Sequence, residues 1–240
     1  MITAFISDLH ISEPRPEIGQ LFIDFLGDQA LKYNALYILG DLFEYWLGDD
    51  DTSPYLNKIR SALRKYTNTG IPTYFIHGNR DFLIGEKFAN ETGTKILSDP
   101  TIIKIYNEDI LISHGDLFCT DDISYQATRE LTRDSKWQKI MLNKTLEERK
   151  AFAFEARLKS KNHMKDLANE ITDVNQSEIA NTFKKFNLKT MIHGHTHRPA
   201  IHNTKINNID HKRIVLGDWY DQGSCLEWDE SGPNLIKLYR

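Results

Sequence analysis

ITAFISDLH, residues 2–10, is an apolar run that ends in Ser7, Asp8, Leu9 and His10. The same arrangement recurs along the chain. The run at 35–39 ends in Gly40-Asp41, and the run at 74–76 in His77-Gly78-Asn79-Arg80-Asp81. Residues 110–112 lead into Ser113-His114-Gly115-Asp116, and Met191-Ile192 into His193-Gly194-His195-Thr196-His197. Short runs rich in Ile, Tyr and Phe read as buried strands. Helical periodicity occupies residues 18–33, 55–67 and 85–92 between the first of them. Strands alternating with helices predict an α/β fold, with layered sheets flanked by helices. The pattern at 102–106 and 110–112, around Asn107-Glu108-Asp109, predicts a hairpin, so the sheet is mixed. Further strands are expected at 213–216, 224–228 and 235–239, the last two joined by a turn at Ser231-Gly232-Pro233-Asn234.

The chain has 240 residues, enough for one domain carrying a substantial insertion. Charged residues make up 27% and the net charge is −4, which excludes a generally basic nucleic-acid binder. Cys119 and Cys225 lack zinc-motif spacing and read as buried thiols in a reducing compartment. The N-terminus has no basic, apolar leader, and no apolar run is long enough to span a bilayer. A cytoplasmic protein, able to lie on a membrane without crossing it, is expected.

One interval is out of scale. Seventy-eight residues separate His114 from His193, and most of them read helical. The division expected is a core at 1–122 and 186–240 with a helical cap at 123–185. Leu142, Leu146, Phe152, Phe154 and Leu158 give the cap a broad apolar face. Between Arg129 and Lys165 there are 11 Lys and Arg against 5 Asp and Glu, a net +6 that leaves −10 for the rest. A basic, greasy insert on an acidic body suits an anionic, partly apolar partner. The plainer alternative is a solvated helical hairpin with ordinary salt pairs.

Loops at the carboxyl ends of strands in an α/β sheet converge on one crevice. Here they deliver Asp8, His10, Asp41, Asn79, His114, His195 and His197. Asp8 and His10 are two apart, as are His195 and His197, so on an extended segment each pair points one way. Carboxylate, imidazole and amide oxygen together are metal-binding chemistry. Seven such donors exceed the need of one tetrahedral ion and suit two ions sharing a carboxylate, the arrangement that clamps a phosphoryl group. His77 and His193 read as packing residues. His163, His202 and His211 read as surface residues, and Asp116 as a turn carboxylate that orients His114.

Asp8-Leu9-His10, Gly40-Asp41, Gly78-Asn79-Arg80-Asp81, His114-Gly115-Asp116 and Gly194-His195-Thr196-His197 resemble the motifs of the calcineurin-like metallophosphoesterase superfamily. The resemblance is closer to one of its branches, the manganese-dependent UDP-2,3-diacylglucosamine pyrophosphatases of bacterial lipid A biosynthesis. Further stretches carry it: LYILGDLFE at 36–44, YFIHGNRDF at 74–82, Cys119-Thr120-Asp121-Asp122, Asp173-Val174-Asn175-Gln176 and IHGHTHRPA at 192–200. It runs nearly end to end.

That resemblance implies two Mn²⁺ ions, although the donor types equally admit Fe, Co or Zn. One ion would take Asp8, His10, Asp41 and His197, and the other Asp41, Asn79, His114 and His195, with Asp41 bridging. It implies attack of hydroxide on the phosphorus nearer uridine, giving UMP and 2,3-diacylglucosamine 1-phosphate. Catalysis would rest on Arg80, Asp41 and His10. Substrate would be held by Asn79, Arg80, Asp122, Ser160, Lys165 and His195. The pattern departs at Met164 and Leu167, where the branch carries polar residues, and Lys165 then takes the cationic role. Most of the superfamily has His where Arg80 stands. An always-charged Arg cannot protonate an alkoxide, but it neutralises phosphoryl charge, which suits a pyrophosphate whose leaving group needs no proton. The plain alternative is an Arg that merely pairs with Asp81. The resemblance also places the protein on the cytoplasmic face of a Gram-negative inner membrane, docked on an anionic surface, with neither a nucleic-acid nor an obligate protein partner. Two other functions stay open: another two-metal phosphodiesterase or pyrophosphatase acting on nucleotides, and a non-catalytic scaffold.

Overall fold

The structure is a computed structural model that describes residues 1–166, 173–220 and 223–238, with side chains in the helix Leu146–Asp166 described through Lys159. Two sheets face each other. The first has six strands: β1 (Thr3–Ile6), β2 (Ala35–Ile38), β3 (Thr73–Ile76), β4 (Lys95–Leu97), β10 (Gly223–Asp229) and β11 (Gly232–Leu238). Their order is β11-β10-β1-β2-β3-β4, with β1 to β4 mutually parallel and β10 and β11 antiparallel. The second sheet holds β5 (Thr101–Ile105), β6 (Glu108–Ser113), β7 (Thr190–His193), β8 (Ala200–Ile206) and β9 (Ile209–Val215). Its order is β5-β6-β7-β9-β8, parallel through β6, β7 and β9 and antiparallel at both edges.

The period-2 alternation of a strand explains why both faces of each sheet are apolar. In β1, Phe5 points between the sheets, where it meets Ile110, Ile112, Ile192, Ile214 and Leu226. Its neighbours Ala4 and Ile6 point outward, beneath α1 (Pro16–Gly27) and α2 (Pro54–Thr67), whose Phe22, Phe25, Ile59 and Leu63 cover them. The outer face of the second sheet is covered by α7 (Gln176–Phe186), with Ile179 and Phe183 packed on Leu111 and Met191. Helix, sheet, sheet and helix thus form four layers. The mixed α/β expectation holds, and the predicted hairpin is β5–β6. The helix expected over 18–33 stops at Gly27, and a 3₁₀ turn (Gln29–Lys32) follows. β4 and β8 are strands the periodicity did not mark. They are edge strands with exposed residues, so their apolar signal is weak.

The long interval after His114 is helical. It begins with α4 (Ile123–Arg133), α5 (Ser135–Leu142) and α6 (Leu146–Asp166), and α7 follows. Asp122 caps α4 by accepting from the Tyr125 amide at 2.9 Å, and Asp134 caps α5 by accepting from Trp137 at 2.8 Å. Among the described residues, no helix is long and apolar enough to cross a membrane.

Candidate metal centre and active site

Every ligand-bearing loop leaves the carboxyl end of a parallel strand. Asp8 and His10 follow β1, Asp41 follows β2, Asn79 follows β3, His114 follows β6, and His195 and His197 follow β7. The loops are tied to one another by backbone bonds. The amides of Asp8 and His10 donate to Gly40 O (3.1 Å) and Asp41 O (3.0 Å), and Gly194 N donates to His114 O at 2.8 Å.

These segments are not extended, which corrects the picture of paired residues pointing one way. Asp8, His10, Asp41, His195 and His197 all have positive φ, between 51° and 69°. Left-handed backbone costs a non-glycine residue about 1–2 kcal/mol, so the five together hold on the order of 5 kcal/mol of strain. Each sharp turn aims a side chain back over the sheet edge. Gly78 and Gly40 allow the loops to approach: a Cβ on Gly40 would lie 2.6 Å from Gly78 Cα and 2.7 Å from His114 Nδ1.

Two donor clusters result, joined by Asp41. In the first, His197 Nε2 lies 3.2 Å from Asp8 Oδ1 and 3.3 Å from His10 Nε2, and His10 Nε2 lies 3.9 Å from Asp41 Oδ2. In the second, Asn79 Oδ1 lies 2.9 Å from His114 Nε2 and 3.0 Å from His195 Nδ1, and His114 Nε2 lies 3.8 Å from Asp41 Oδ1. The two oxygens of Asp41 therefore face different clusters.

The hydrogen-bond logic of these clusters calls for a cation. His114 Nδ1 faces Leu39 O at 2.9 Å, and only a protonated nitrogen can donate to that carbonyl. In the neutral ring, the Nε2 lone pair then meets another acceptor, Asn79 Oδ1. His197 repeats the situation: its Nδ1 stands 3.1 Å from Asp218 Oδ2, so its Nε2 lone pair meets Asp8 Oδ1. Acceptors aimed at one another are repulsive in a buried site unless a cation lies among them. Without one, the acids recruit protons instead. Burial opposes charge on His197, but Asp218 and Asp8 outweigh it and lift its pKa to about 10. Burial likewise opposes charge on His114, and Asp41 and Asp8 raise it to about 9. Burial, aided by the His114 charge, drops His195 to about 3, so that ring stays neutral. The residues present fit a divalent metal.

Arg80 does not pair with Asp81. The Asp81 carboxylate is occupied by backbone amides, accepting from Gly78 N and Leu42 N at 2.8 Å each and from Asp41 N at 3.3 Å. Burial, with Asp41 beside it, pushes the Asp81 pKa up to about 7. The Arg80 amide holds Asp41 Oδ1 at 2.8 Å, while its buried guanidinium Nε has no hydrogen-bond partner. A buried, unpartnered guanidinium nitrogen beside a metal cluster is a group waiting for an anion.

Other expectations sort differently. Asp122 sits at the start of α4, three residues before Tyr125, whose ring stacks on His195 at 5.8 Å. Ser160 and Lys165, together with His163, Met164 and Leu167, lie outside the residues whose side chains are described. Asp116 does not orient His114, whose outer nitrogen takes Leu39 O. Instead, Asp116 Oδ2 accepts from Tyr125 Oη at 2.7 Å and pairs with Arg129 at 3.0 Å and Arg133 at 3.6 Å, tying α4 to the core. His77 donates to Ile84 O at 2.7 Å, and His193 accepts from Arg213 at 3.1 Å, both as packing residues. His211 is buried against Phe183 rather than exposed, with ring centroids 4.7 Å apart, because α7 covers that face. Sequence reasoning missed Glu44, Asp218, Tyr125 and Tyr220. Glu44 Oε2 stands 3.2 Å from His10 Nδ1, and the Tyr220 ring stacks on His10 at 5.4 Å. Glu44 lies in the quoted stretch at 36–44, and its spacing from Asp41 was the one available signal.

Two clusters of side chains able to hold a divalent metal, at the shared edge of two facing sheets, are the arrangement of a metallophosphoesterase. The family model for calcineurin-like phosphoesterases matches residues 1–199. A UDP-2,3-diacylglucosamine hydrolase of Stenotrophomonas maltophilia (strain R551-3) is 49% identical over 247 residues, covering all of both chains. One from Xanthomonas oryzae pv. oryzae (strain PXO99A) is 47% identical and covers 98% of each. Among solved structures, a novel archaeal phosphodiesterase aligns over 99% of this chain and 100% of its own, with TM-score 0.50 and 14% identity, a likeness of fold alone. The chain belongs to the calcineurin-like phosphoesterases and, within them, to the UDP-2,3-diacylglucosamine hydrolase family.

Proposed function

We propose that the protein hydrolyses the pyrophosphate of UDP-2,3-diacylglucosamine to UMP and 2,3-diacylglucosamine 1-phosphate, a step of lipid A biosynthesis, with two Mn²⁺ ions per chain. The observation that carries the reading is Arg80: a guanidinium with a buried, unpartnered Nε, placed by its own amide against Asp41. Divalent ions, when bound, lower the pKa of water and neutralise phosphoryl oxygens. Asp8, His10, Asp41 and His197 would hold one ion, and Asp41, Asn79, His114 and His195 the other. Arg80 grips the phosphoryl oxygens and offsets the charge that develops as the bond breaks. It has no proton to give, and a sugar phosphate leaving as a stable oxyanion needs none. Asn79, Arg80 and His195 orient the pyrophosphate, while Asp122, Ser160 and Lys165 serve the glucosamine and its phosphate.

The insertion at 123–185 works as the cap. Its exposed Ile123, Leu131, Ile140, Phe152, Phe154 and Leu158 offer apolar surface to acyl chains, and its net positive charge suits an anionic bilayer. The protein would work on the cytoplasmic face of a Gram-negative inner membrane, without an obligate protein partner and without nucleic acid.

The test is phosphorus NMR of UDP-2,3-diacylglucosamine with the protein and Mn²⁺ in ¹⁸O-labelled water. Label in UMP is the expected result and places attack at the uridine-side phosphorus. Label in the sugar phosphate would overturn attack at the uridine-side phosphorus. No cleavage by metal-loaded protein would overturn the substrate.

A further inference from the structure

Resting on the two-metal reading above, we propose that Glu44 and Asp218 are positioning residues for His10 and His197. They make the metal position built on Asp8, His10, Asp41 and His197 the tighter of the two. Both first-cluster histidines turn their outer nitrogen toward a carboxylate: His10 Nδ1 stands 3.2 Å from Glu44 Oε2, and His197 Nδ1 stands 3.1 Å from Asp218 Oδ2. His10 Nδ1 is buried and without a hydrogen-bond partner, and the Glu44 carboxylate is the anion that stands in front of it. A carboxylate at the outer nitrogen fixes the tautomer and makes the inner nitrogen a stronger donor to a metal.

The second cluster is built differently. His114 has only a neutral carbonyl, Leu39 O, at its outer nitrogen, and the amide of Asn79 takes the place of a carboxylate ligand. The guanidinium on that side, Arg133, donates to Gly78 O at 3.0 Å, one residue from Asn79, and is itself paired with Asp116. The carboxylate facing each outer imidazole nitrogen is therefore what sets the first position apart.

The fold places these residues for the purpose. Asp218 lies in the loop after β9, and the neighbouring Trp219 amide donates to Asp8 O at 3.2 Å. Trp219 is itself fully buried, with its indole nitrogen on Ser224 O at 2.9 Å. Tyr220 then covers His10 and is held by Arg15, which lies 5.0 Å over its ring and donates to its carbonyl. Glu44 sits behind His10, on the loop that follows β2 and carries Asp41.

The test titrates Mn²⁺ into metal-stripped protein and follows the free-ion signal by electron paramagnetic resonance. Wild type is expected to take up two ions in two unequal classes. Asp218→Asn and Glu44→Gln, nearly isosteric, are each expected to weaken the tighter class by about 10–100-fold and leave the weaker class unchanged. A second measurement needs no variant. With one equivalent of diamagnetic Zn²⁺ and ¹⁵N-histidine labelling, the shift of the metal-bound ring nitrogen is expected at His10 and His197 before His114 and His195. Uptake of fewer than two ions by wild type would overturn the two-metal reading itself. Two ions with unchanged affinities in both variants, or the four rings shifting together, would overturn this inference alone.

Discussion

Asp41 is the residue on which the site turns. Its two oxygens face different clusters, Oδ2 toward His10 and Oδ1 toward His114. Asp41→Ala removes a carboxylate that faces both clusters, so metal analysis of the purified variant is expected to show neither proposed position filled. A variant retaining two ions would refute the bridging role. Arg80 acts one step later. Its side chain is not among the metal donors, so Arg80→Ala is expected to keep both ions while kcat/KM falls by about 10²-fold or more. Metal content and steady-state kinetics on the same preparation separate the two residues. Both residues stood out in the sequence by their place after apolar runs, and the resemblance to the family implied their roles. The direction in which Asp8, His10, His195 and His197 point was not, because left-handed backbone at non-glycine residues leaves no periodic trace.

At the scale of elements, Asp81 staples the loop after β3 to the loop after β2. Its carboxylate takes the amides of Gly78 and Leu42 at 2.8 Å each, in a fully buried position. Asp81→Ala leaves those donors without an acceptor, at about 1–3 kcal/mol apiece. For a chain of this size that lowers Tm by roughly 5 °C or more, read by calorimetry. Asp81→Asn, which keeps one acceptor oxygen, is expected to fall between wild type and Asp81→Ala. Sequence pattern placed Asp81 beside Arg80 and left an ion pair between them as the plain alternative. Long-range bonds to residues some 40 positions earlier override that neighbour, and no local signal announces them.

Across the whole molecule, helix α4 is fastened to the sheets close to the donor clusters. Asp116, fully buried, accepts from Tyr125 and pairs with Arg129 and Arg133, all three on α4. Asp116→Ala removes the acceptor shared by Tyr125, Arg129 and Arg133, leaving Arg129 with Asp99 and Arg133 with backbone carbonyls, and is expected to cost about 1–3 kcal/mol. Calorimetry should show the loss of stability, and limited proteolysis should show faster cutting within 123–142. Metal removal acts globally as well. Because the ligands come from both sheets, chelation loosens the joint between them, and Tm is expected to fall on adding EDTA. A metal held at 100 times its Kd contributes about 2.7 kcal/mol per site, and restoring Mn²⁺ should recover it.

The α/β layering, the β5–β6 hairpin, the helical stretch after His114 and the seven candidate metal donors are legible in the sequence, because apolar periodicity and residue chemistry are local properties. Membership of the phosphoesterase family rests on the same motifs. The tertiary structure decided what depends on distant partners. It folds the strands into two facing sheets, since pairing choices such as β10 beside β1 are made by packing and not by propensity. It sets Glu44 and Asp218 behind His10 and His197, it withholds Asp81 from Arg80, and it buries His211 beneath α7. In each case the deciding contact spans many residues of chain, and only the folded geometry brings its two ends together.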